Sequence, residues 1–315
     1  MSGESEIPEL PQEIAKASEE GRLVLFIGAG LSCAAGLIGW GKLKDELIQA
    51  LKPNGRDDLE DVKKGLLGES NFYNCFGVVH QRDADTYNAV MKKSLTPDED
   101  TSAKFKRLIG HLSKLNPVSI VTLNVDPLLV DNNPLGGERS IRSMGDCWPW
   151  EICERKIFFF HGKADNRGGS SAGWVFNYEE LKKRYDKMED CDRFLYGLFS
   201  GRYVILFVGF SFSDELLLKR AELPEVTIKE IESGERAHFH YALIASDAST
   251  VRTRLRAFGV KPLQYRIAET ETDPIKMHIN FEKTLAAWGA ALEPAKNRIE
   301  ASSEAIPMEG PAANA

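Results

Sequence analysis

Six short apolar runs constrain the fold of this 315-residue chain more than any other feature of its sequence. Most of them are continuously apolar, which is typical of strands that are covered on both faces. Helical patterns follow several of them, such as WGKLKDELIQAL after the first run and SDELLLKRAEL after the fourth. This alternation predicts an α/β fold with a doubly wound, mainly parallel sheet of about six strands. The runs are RLVLFIG (22–28), VSIVTLN (118–124), KIFFFHG (156–162), RYVILFVGF (202–210), FHYALIAS (239–246) and LQYRI (263–267).

Two intervals between these runs are too long for a simple crossover. Residues 41–117 contain about three further helix-length patterns, so we expect a helical insertion there. Residues 163–201 begin with the stretch KADNRGGSSAG and then continue with helical patterns. The predicted organisation is an extension at 1–20, one main domain at 21–298 that includes the insertion, and a disordered tail at 299–315.

Composition and charge exclude several functional classes. No apolar run approaches the roughly 20 residues that cross a bilayer, and the first residues resemble neither a secretory signal nor a transit peptide. We therefore expect a cytoplasmic protein that does not bind membranes. The net charge of −7 argues against broad electrostatic binding to nucleic acid, so no direct contact with nucleic acid is expected. The five cysteines include no C-x-x-C pair, which favours reduced thiols and no zinc ribbon.

Glycines and polar residues come directly after the apolar runs. In an open parallel sheet the ligand crevice lies at the carboxyl ends of the strands, so these residues are candidates for a binding site. In GAGLS (28–32), Gly30 would let the backbone approach an anion, and the start of the next helix would neutralise its charge. A tight turn that binds nothing is at least as common for an isolated GAG.

Two other strand ends carry polar residues that could take part in binding or catalysis. Asn124 and Asp126 follow the second run, where an amide and a carboxylate could orient a ribose hydroxyl or a water molecule. An Asx-type turn leading into Pro127 is the other interpretation. His161 ends the third run and precedes Gly162, a position that suits a general base, although a histidine at a strand end is more often structural.

In combination, the ordered motifs GAG-x-S, T-x-N-x-D, strand-His-Gly and G-x-S resemble the sirtuin superfamily over roughly residues 22–250. Sirtuins bind NAD in a Rossmann-like fold with a small inserted domain and cleave its nicotinamide–ribose bond. The resemblance implies that Asn124 and Asp126 line the nicotinamide-ribose pocket and that His161 is the base. It also implies these NAD-binding residues: Gly28, Ala29, Gly30, Ser32, Trp40, Thr122, Gly209 and Ser211.

Departures from the family pattern indicate a particular branch. Protein-deacylating sirtuins continue into a G-I-P-D-F-R segment and carry two C-x-x-C pairs for zinc, whereas this chain reads GLIGWG at 36–41 and has no such pair. The stretches GAGLSCAAGLIGWGKL, TLNVDPLL, FFFHG, WVFNYEELKKRY and VGFSFSDELL are instead similar to the sirtuin-like domains of bacterial antiphage defence systems. That resemblance implies a zinc-free NAD glycohydrolase that acts as the effector of an abortive-infection system.

Two other functions remain open at this point. An NAD-dependent protein deacylase or ADP-ribosyltransferase would use the same substrate, and a non-catalytic sensor of NAD or ADP-ribose would use the same pocket. The resemblance also implies control of NAD cleavage, because unregulated loss of NAD would kill the host. We therefore expect a homo-oligomer, or a separate sensor or activator such as a hexameric ATPase or an Argonaute-type protein.

Overall fold

A sheet of seven strands, all parallel, forms the centre of the molecule. The strands are β1 (Leu23–Ile27), β2 (Ser119–Thr122), β3 (Ile141–Ser143), β4 (Ile157–Phe159), β5 (Val204–Val208), β6 (His240–Ala245) and β7 (Val260–Tyr265). Their order across the sheet is β3-β4-β2-β1-β5-β6-β7. Without the edge strand β3, this is the 3-2-1-4-5-6 order of doubly wound dinucleotide folds, which confirms the predicted fold class.

The computed structural model describes residues 6–52, 59–137, 141–143, 148–164, 174–186, 189–200, 202–212, 225–234, 240–245, 249–268 and 278–303. The helices are α1 (Gln12–Glu19), α2 (Ala29–Ala35), α3 (Trp40–Ala50), α4 (Leu59–Gly68), α5 (Phe72–Arg82), α6 (Ala84–Leu95), α7 (Glu99–Ser113), α8 (Leu128–Asp131), α9 (Tyr178–Asp186), α10 (Glu189–Phe199), α11 (Glu225–Glu232), α12 (Ser249–Arg256) and α13 (Ile279–Ser303). A 3-10 helix spans Pro149–Cys153.

The central strand β1 shows why the apolar runs are continuous. Neighbouring side chains of a strand point to opposite faces, and both faces of this sheet are covered. Val24 and Phe26 lie in one core cluster, which includes side chains of α10 and α12. Leu23, Leu25 and Ile27 lie in a second cluster, to which α1, α7 and α13 contribute. Every residue of β1 is therefore buried, and no position in it is left for a polar side chain.

A separate layer of helices lies between β1 and β2 in the chain. Helices α3 to α6 share a third hydrophobic cluster, which contains Leu47, Leu66, Phe76 and Met91. Side-chain caps begin three helices of this region: Asn71, Asp83 and Asp98 each accept a hydrogen bond from the backbone N–H three residues later. These caps satisfy N–H groups at the starts of α5, α6 and α7 that have no partner inside the helix.

Some features of the fold differ from the sequence prediction. The sheet has a seventh strand, β3, and α5 was not among the predicted helical patterns. Helix α13 continues past residue 299 into the predicted tail, and the rest of that tail, 304–315, lies outside the described residues. The predicted helix SDELLLKRAEL at 213–223 also lies outside them.

Candidate active site

A cavity of about 530 Å³ runs along the carboxyl edge of the sheet. Its lining includes residues at or just beyond the ends of six adjacent strands: His161, Asn124, Gly28, Gly209, Ala245 and Tyr265. Six strands at the usual spacing of about 4.8 Å cover roughly 24 Å, so the cavity is long and narrow. One end lies beneath the helical layer, where Trp40 and Tyr73 line it, and the other end reaches His278 at the start of α13.

The structure brings almost all of the predicted site residues into this one cavity. The lining contains Gly28, Ala29, Gly30, Ser32, Trp40, Asn124, Asp126, His161, Gly209 and Ser211. Thr122 is the exception, because it lies under the site and does not line it. Its hydroxyl donates to the Ile27 carbonyl oxygen at 2.9 Å and accepts from the Asn124 N–H at 3.0 Å. Thr122 therefore fixes where the chain leaves β2.

The glycines of the GAG turn are required by a close contact between two loops. The Gly30 N–H donates to the Gly209 carbonyl oxygen at 2.8 Å. A Cβ atom at Gly30 would lie 2.7 Å from the Gly209 Cα, and one at Gly28 would lie 2.4 Å from the Gly209 oxygen. Gly209 has φ +64° and leaves no room for a Cβ against Leu31 N. The sequence prediction explained Gly30 by the approach of an anion, whereas here its missing side chain makes room for the loop after β5.

A buried chain of hydrogen bonds joins the first two motifs. The Asn124 side-chain amide donates to the Ser32 hydroxyl at 3.1 Å and to the Gly28 carbonyl oxygen at 3.2 Å. The Ser32 hydroxyl in turn donates to Asp126 Oδ2 at 2.9 Å. Ser32 thus accepts from Asn124 and donates to Asp126, which fixes the direction of its O–H. The three side chains are each less than 10% exposed, so solvent does not compete for these bonds.

Asp126 is held deep in the wall of the cavity. Its second oxygen, Oδ1, accepts from the Leu128 N–H at 3.2 Å, which is the Asx-type turn expected before Pro127. Burial raises the pKa of Asp126 to about 6, although the bonds from Ser32 and Leu128 favour the ionised form. The carboxylate is therefore ionised at neutral pH but close to its titration range.

His161 is positioned by the backbone on both sides of it. The Phe160 N–H donates to the Thr122 carbonyl oxygen at 2.9 Å, and the Ala164 N–H donates to that of Val125 at 2.6 Å. These bonds keep the segment after β4 beside the segment after β2, which carries Asn124. Gly162 has φ +83°, a conformation that glycine adopts readily, and it turns the chain immediately after His161. The imidazole is 1% exposed to solvent and lines the cavity.

Aromatic residues of α5 and of the segment before α9 complete the wall near His161. The Tyr73 ring meets the His161 ring edge-on, with centroids 6.5 Å apart. Trp40 packs against Tyr73, with centroids 5.8 Å apart, and against Phe176, at 5.4 Å. Tyr73 and Phe176 were not among the predicted site residues, because nothing in their local sequence pattern places them beside His161.

Cys33 also lines the cavity, yet its chemistry there is limited. Burial raises the pKa of this thiol to about 11, and the charge of Asp126 acts in the same direction. A protonated thiol is a poor nucleophile, so we assign no catalytic role to Cys33. Among the described residues, no group of three His, Cys, Asp or Glu side chains is placed to hold a metal ion. Over the same part of the chain, no helix is long and apolar enough to span a membrane.

Part of this chain is similar to a known protein family. The family model of the SIR2-like domain matches residues 118–263. Over this segment the chain is similar to the SIR2-like domain. The matched segment of this sirtuin-like chain contains Asn124, Asp126, His161, Gly209 and Ser211, whereas the GAG turn precedes it.

Two individual proteins are similar to this sirtuin-like chain. Defense-associated sirtuin 2 of Bacillus subtilis is 24% identical over 126 residues, which cover 40% of this chain and 12% of that protein. The chain therefore spans only a small part of that relative's length. A solved structure described as "Structural Basis for the Mechanism and Regulation of Sir2 Enzymes" aligns with 91% of this chain and 100% of its own, at 14% identity and a TM-score of 0.39.

Proposed function

We propose that this sirtuin-like protein hydrolyses NAD at its nicotinamide–ribose bond. The reaction consumes NAD⁺ and water and releases nicotinamide, ADP-ribose and a proton. The C–N bond to nicotinamide breaks, its electron pair leaves with the pyridine ring, and a water oxygen bonds to the ribose carbon. Nicotinamide leaves as a neutral molecule from a cationic ring, so no acid is needed to protonate it.

The observation that carries this proposal is the shape of the cavity together with the residues at one end of it. A cavity that crosses six strand ends can hold two linked nucleotides, whereas a mononucleotide would fill only part of it. The bonded residues Asn124, Ser32 and Asp126 lie in its wall, and His161 lines the same end. The SIR2-like domain adds support, since the proposed catalytic residues lie inside the matched segment.

In the proposed mechanism each polar side chain has a defined task. Asn124, whose amide is oriented by Ser32 and Gly28, positions the ribose and the attacking water. His161 accepts a proton from that water as it attacks the oxocarbenium-like ribose. Asp126 is a positioning residue, because it holds Ser32 and its negative charge favours the developing positive charge on the ribose.

The biological role that we propose is that of an effector in antiviral defence. It rests on the similarity to a defense-associated sirtuin and on the antiphage-defence stretches of the sequence. We further propose that self-assembly or a partner protein controls the activity. Size-exclusion chromatography with light scattering tests that part, and a constitutively active monomer would contradict it.

The decisive experiment is incubation of the purified chain with NAD alone, followed by quantification of nicotinamide and ADP-ribose. Asn124→Ala and His161→Ala should each lower the rate by about a hundredfold or more. His111→Ala is the matched control, because His111 lies on α7 and does not line the cavity. All three variants are first shown to be folded by their unfolding transitions.

Other outcomes of the same experiment would overturn the proposal. Release of nicotinamide only when an acyl-lysine peptide is added would identify a deacylase. Tight binding of NAD without turnover, including in the presence of proteins encoded by neighbouring genes, would identify a sensor. Undiminished turnover in the folded Asn124 and His161 variants would refute the assigned residues.

A further inference from the structure

A short segment, residues 174–177, lies against the chain just after β4, and we call it the strap. The Val175 N–H donates to the His161 carbonyl oxygen at 3.0 Å, and the Trp174 indole N–H donates to that of Lys163 at 3.1 Å. These two bonds tie the strap to the segment that carries the proposed base. The strap belongs to the stretch WVFNYEELKKRY, to which the proposed mechanism gives no role.

The strap joins the core of the sheet to the core of the helical layer. Val175 belongs to the cluster that contains Phe26 of β1, whereas Phe176 belongs to the third cluster, between the helices of the layer. Both side chains are less than 5% exposed. Phe176 also lines the cavity, where it packs against Trp40. The position of the strap therefore determines the wall of the cavity at the end where His161 lies.

Glu180, on the first turn of α9, fixes the position of the strap. The Asn177 Oδ1 accepts from the Glu180 N–H at 2.9 Å, and the Glu180 Oε2 accepts from the Asn177 N–H at 3.2 Å. This reciprocal pair is a capping box, which by itself holds only the residue that caps the helix. Here the same Glu180 oxygen also accepts from the Phe176 N–H at 3.0 Å. The carboxylate thus holds the residue whose ring lines the cavity.

The strap needs this oxygen because its backbone is buried. Phe176 and Asn177 are both less than 10% exposed, and buried N–H groups require an acceptor inside the protein. Without the Glu180 oxygen, the two N–H groups would have to turn toward water. The strap would then separate from the segment after β4, and solvent would gain access to His161, which is 1% exposed.

We propose that Glu180 is a positioning residue for NAD cleavage, which holds the strap over His161 and so keeps bulk solvent from the base and the reacting ribose. Glu180 does not line the cavity, so it acts through the backbone of the strap and not on the substrate. The effect on cleavage rests on the proposed function. The cover over His161 does not depend on turnover, so the two ideas can fail separately.

Two substitutions of Glu180 separate this role from an ordinary charge effect at a helix start. Glu180→Gln removes the charge but keeps an oxygen at the same reach, so it should preserve the strap. Glu180→Asp keeps the negative charge, which favours the start of α9, but its shorter side chain cannot accept from both N–H groups. A role that depended on charge alone would give the opposite order of effects. Glu179→Ala is the matched control, because Glu179 is the exposed neighbour of Glu180 on the same turn.

The first test measures access to His161 without catalysis. The full chain is treated with diethyl pyrocarbonate, which acylates accessible imidazoles, and the modified peptides are quantified by mass spectrometry. Glu180→Asp and Glu180→Ala should raise the rate at His161 by about fivefold or more, whereas Glu180→Gln and Glu179→Ala should stay within about twofold of the parent chain. The rate at His111 on α7 should be the same in all variants, which would show that the change is local.

The second test uses kinetics on variants shown to be folded. Glu180→Asp should lower kcat for NAD cleavage by about tenfold with a smaller change in KM, because the strap lies beside His161 and not at the GAG turn. Glu180→Gln should recover most of this loss. A cap that was merely structural would lower the free energy of unfolding but leave kcat and the modification of His161 as in Glu179→Ala, and this result would overturn the proposal. Should the chain not cleave NAD, equal modification of His161 in Glu180→Asp and Glu180→Gln would overturn it on its own.

Discussion

At the residue scale, Ser32 is the centre of the buried polar network. It is the acceptor for Asn124 and the donor to Asp126, so its removal breaks two hydrogen bonds at once. The two residues that it joins come from the loop after β2, whereas Ser32 itself belongs to α2 after β1. Its hydroxyl therefore links two strand ends at the point where the ribose is proposed to react.

This arrangement predicts the effect of Ser32→Ala. The Asn124 amide would lose its fixed orientation, so the rate of NAD cleavage should fall at least tenfold. Leaving a buried oxygen of Asp126 without its donor should lower the free energy of unfolding by about 1–3 kcal/mol. Ser113→Ala is the control, because the Ser113 hydroxyl donates only to the Gly110 carbonyl oxygen on α7. Equal turnover in both variants would show that the hydroxyl at 32 has no positioning role.

Asp126 predicts a pH dependence of stability with a defined sign. Its pKa rises from 3.8 to about 6 on folding, so the folded state holds a proton that the unfolded state has lost. Its contribution to stability is complete below about pH 4 and is lost as the pH rises through 6, a change of roughly 3 kcal/mol. The difference in unfolding free energy between the parent chain and Asp126→Asn should fall by most of this amount from pH 4 to pH 7.

Asp83 provides a control of opposite sign for that measurement. It caps α6 at the surface, and hydrogen bonds from the backbone and side chain of Thr86 lower its pKa. Its contribution to stability is therefore lost as the pH falls, so the parent chain should lose stability relative to Asp83→Asn toward low pH. If the difference in unfolding free energy between the parent chain and Asp126→Asn did not change with pH, the Asp126 carboxyl would have the same pKa in the folded and unfolded states.

At the element scale, the loops after β1 and β5 pack closely against each other at their glycine residues. Gly209→Ala would place a Cβ 2.3 Å from Leu31 N at a positive φ, so the loops would have to separate. We expect a loss of roughly 3 kcal/mol or more in the free energy of unfolding, together with weaker NAD binding. Gly110→Ala inside α7 has open space around it and should instead stabilise the chain by about 0.5–1 kcal/mol. Denaturant titrations of the two variants test this contrast, and similar changes in both would contradict it.

The sequence predicted best those strands in which successive side chains are all buried. β1 and β5 are apolar at every position because both faces of the sheet are covered, so the sequence predicted both as buried strands. The short strand β3 carries Arg142 between Ile141 and Ser143 and pairs with β4 alone, so it leaves almost no apolar pattern. Its existence depends on tertiary pairing.

Helix α5 shows why part of the site could not be predicted. Its sequence, FYNCFGVVHQR, contains a glycine, adjacent valines and several aromatic residues, which are weak helix formers. The Asn71 cap and packing of Phe76 in the third cluster establish the helix, and neither is visible in a residue pattern. Tyr73 reaches the cavity only because of that packing. The polar residues at strand ends were predictable, since topology alone brings the ends of parallel strands together.

At the scale of the whole molecule, the cavity lies between a rigid sheet and a layer of helices with its own core. Trp40, at the start of α3, connects the two parts. Its ring stacks on Phe76 of the helical core, with centroids 5.5 Å apart, while it also lines the cavity. The side chain of Trp40 therefore joins the core of the helical layer to the wall of the cavity.

This position predicts that Trp40→Ala loosens the cavity without removing a catalytic group. The KM for NAD should rise about tenfold, while kcat should change less, because Asn124 and His161 keep their own supports. The free energy of unfolding should fall by roughly 2 kcal/mol, which is less than for a fully buried tryptophan. Trp150→Ala is the matched control: Trp150 is 60% exposed and lies outside the cavity lining, so it should change stability by only about 0.5 kcal/mol. If Trp40→Ala reduced kcat and left KM unchanged, the helical layer would act on the chemical step instead of on the closure of the cavity.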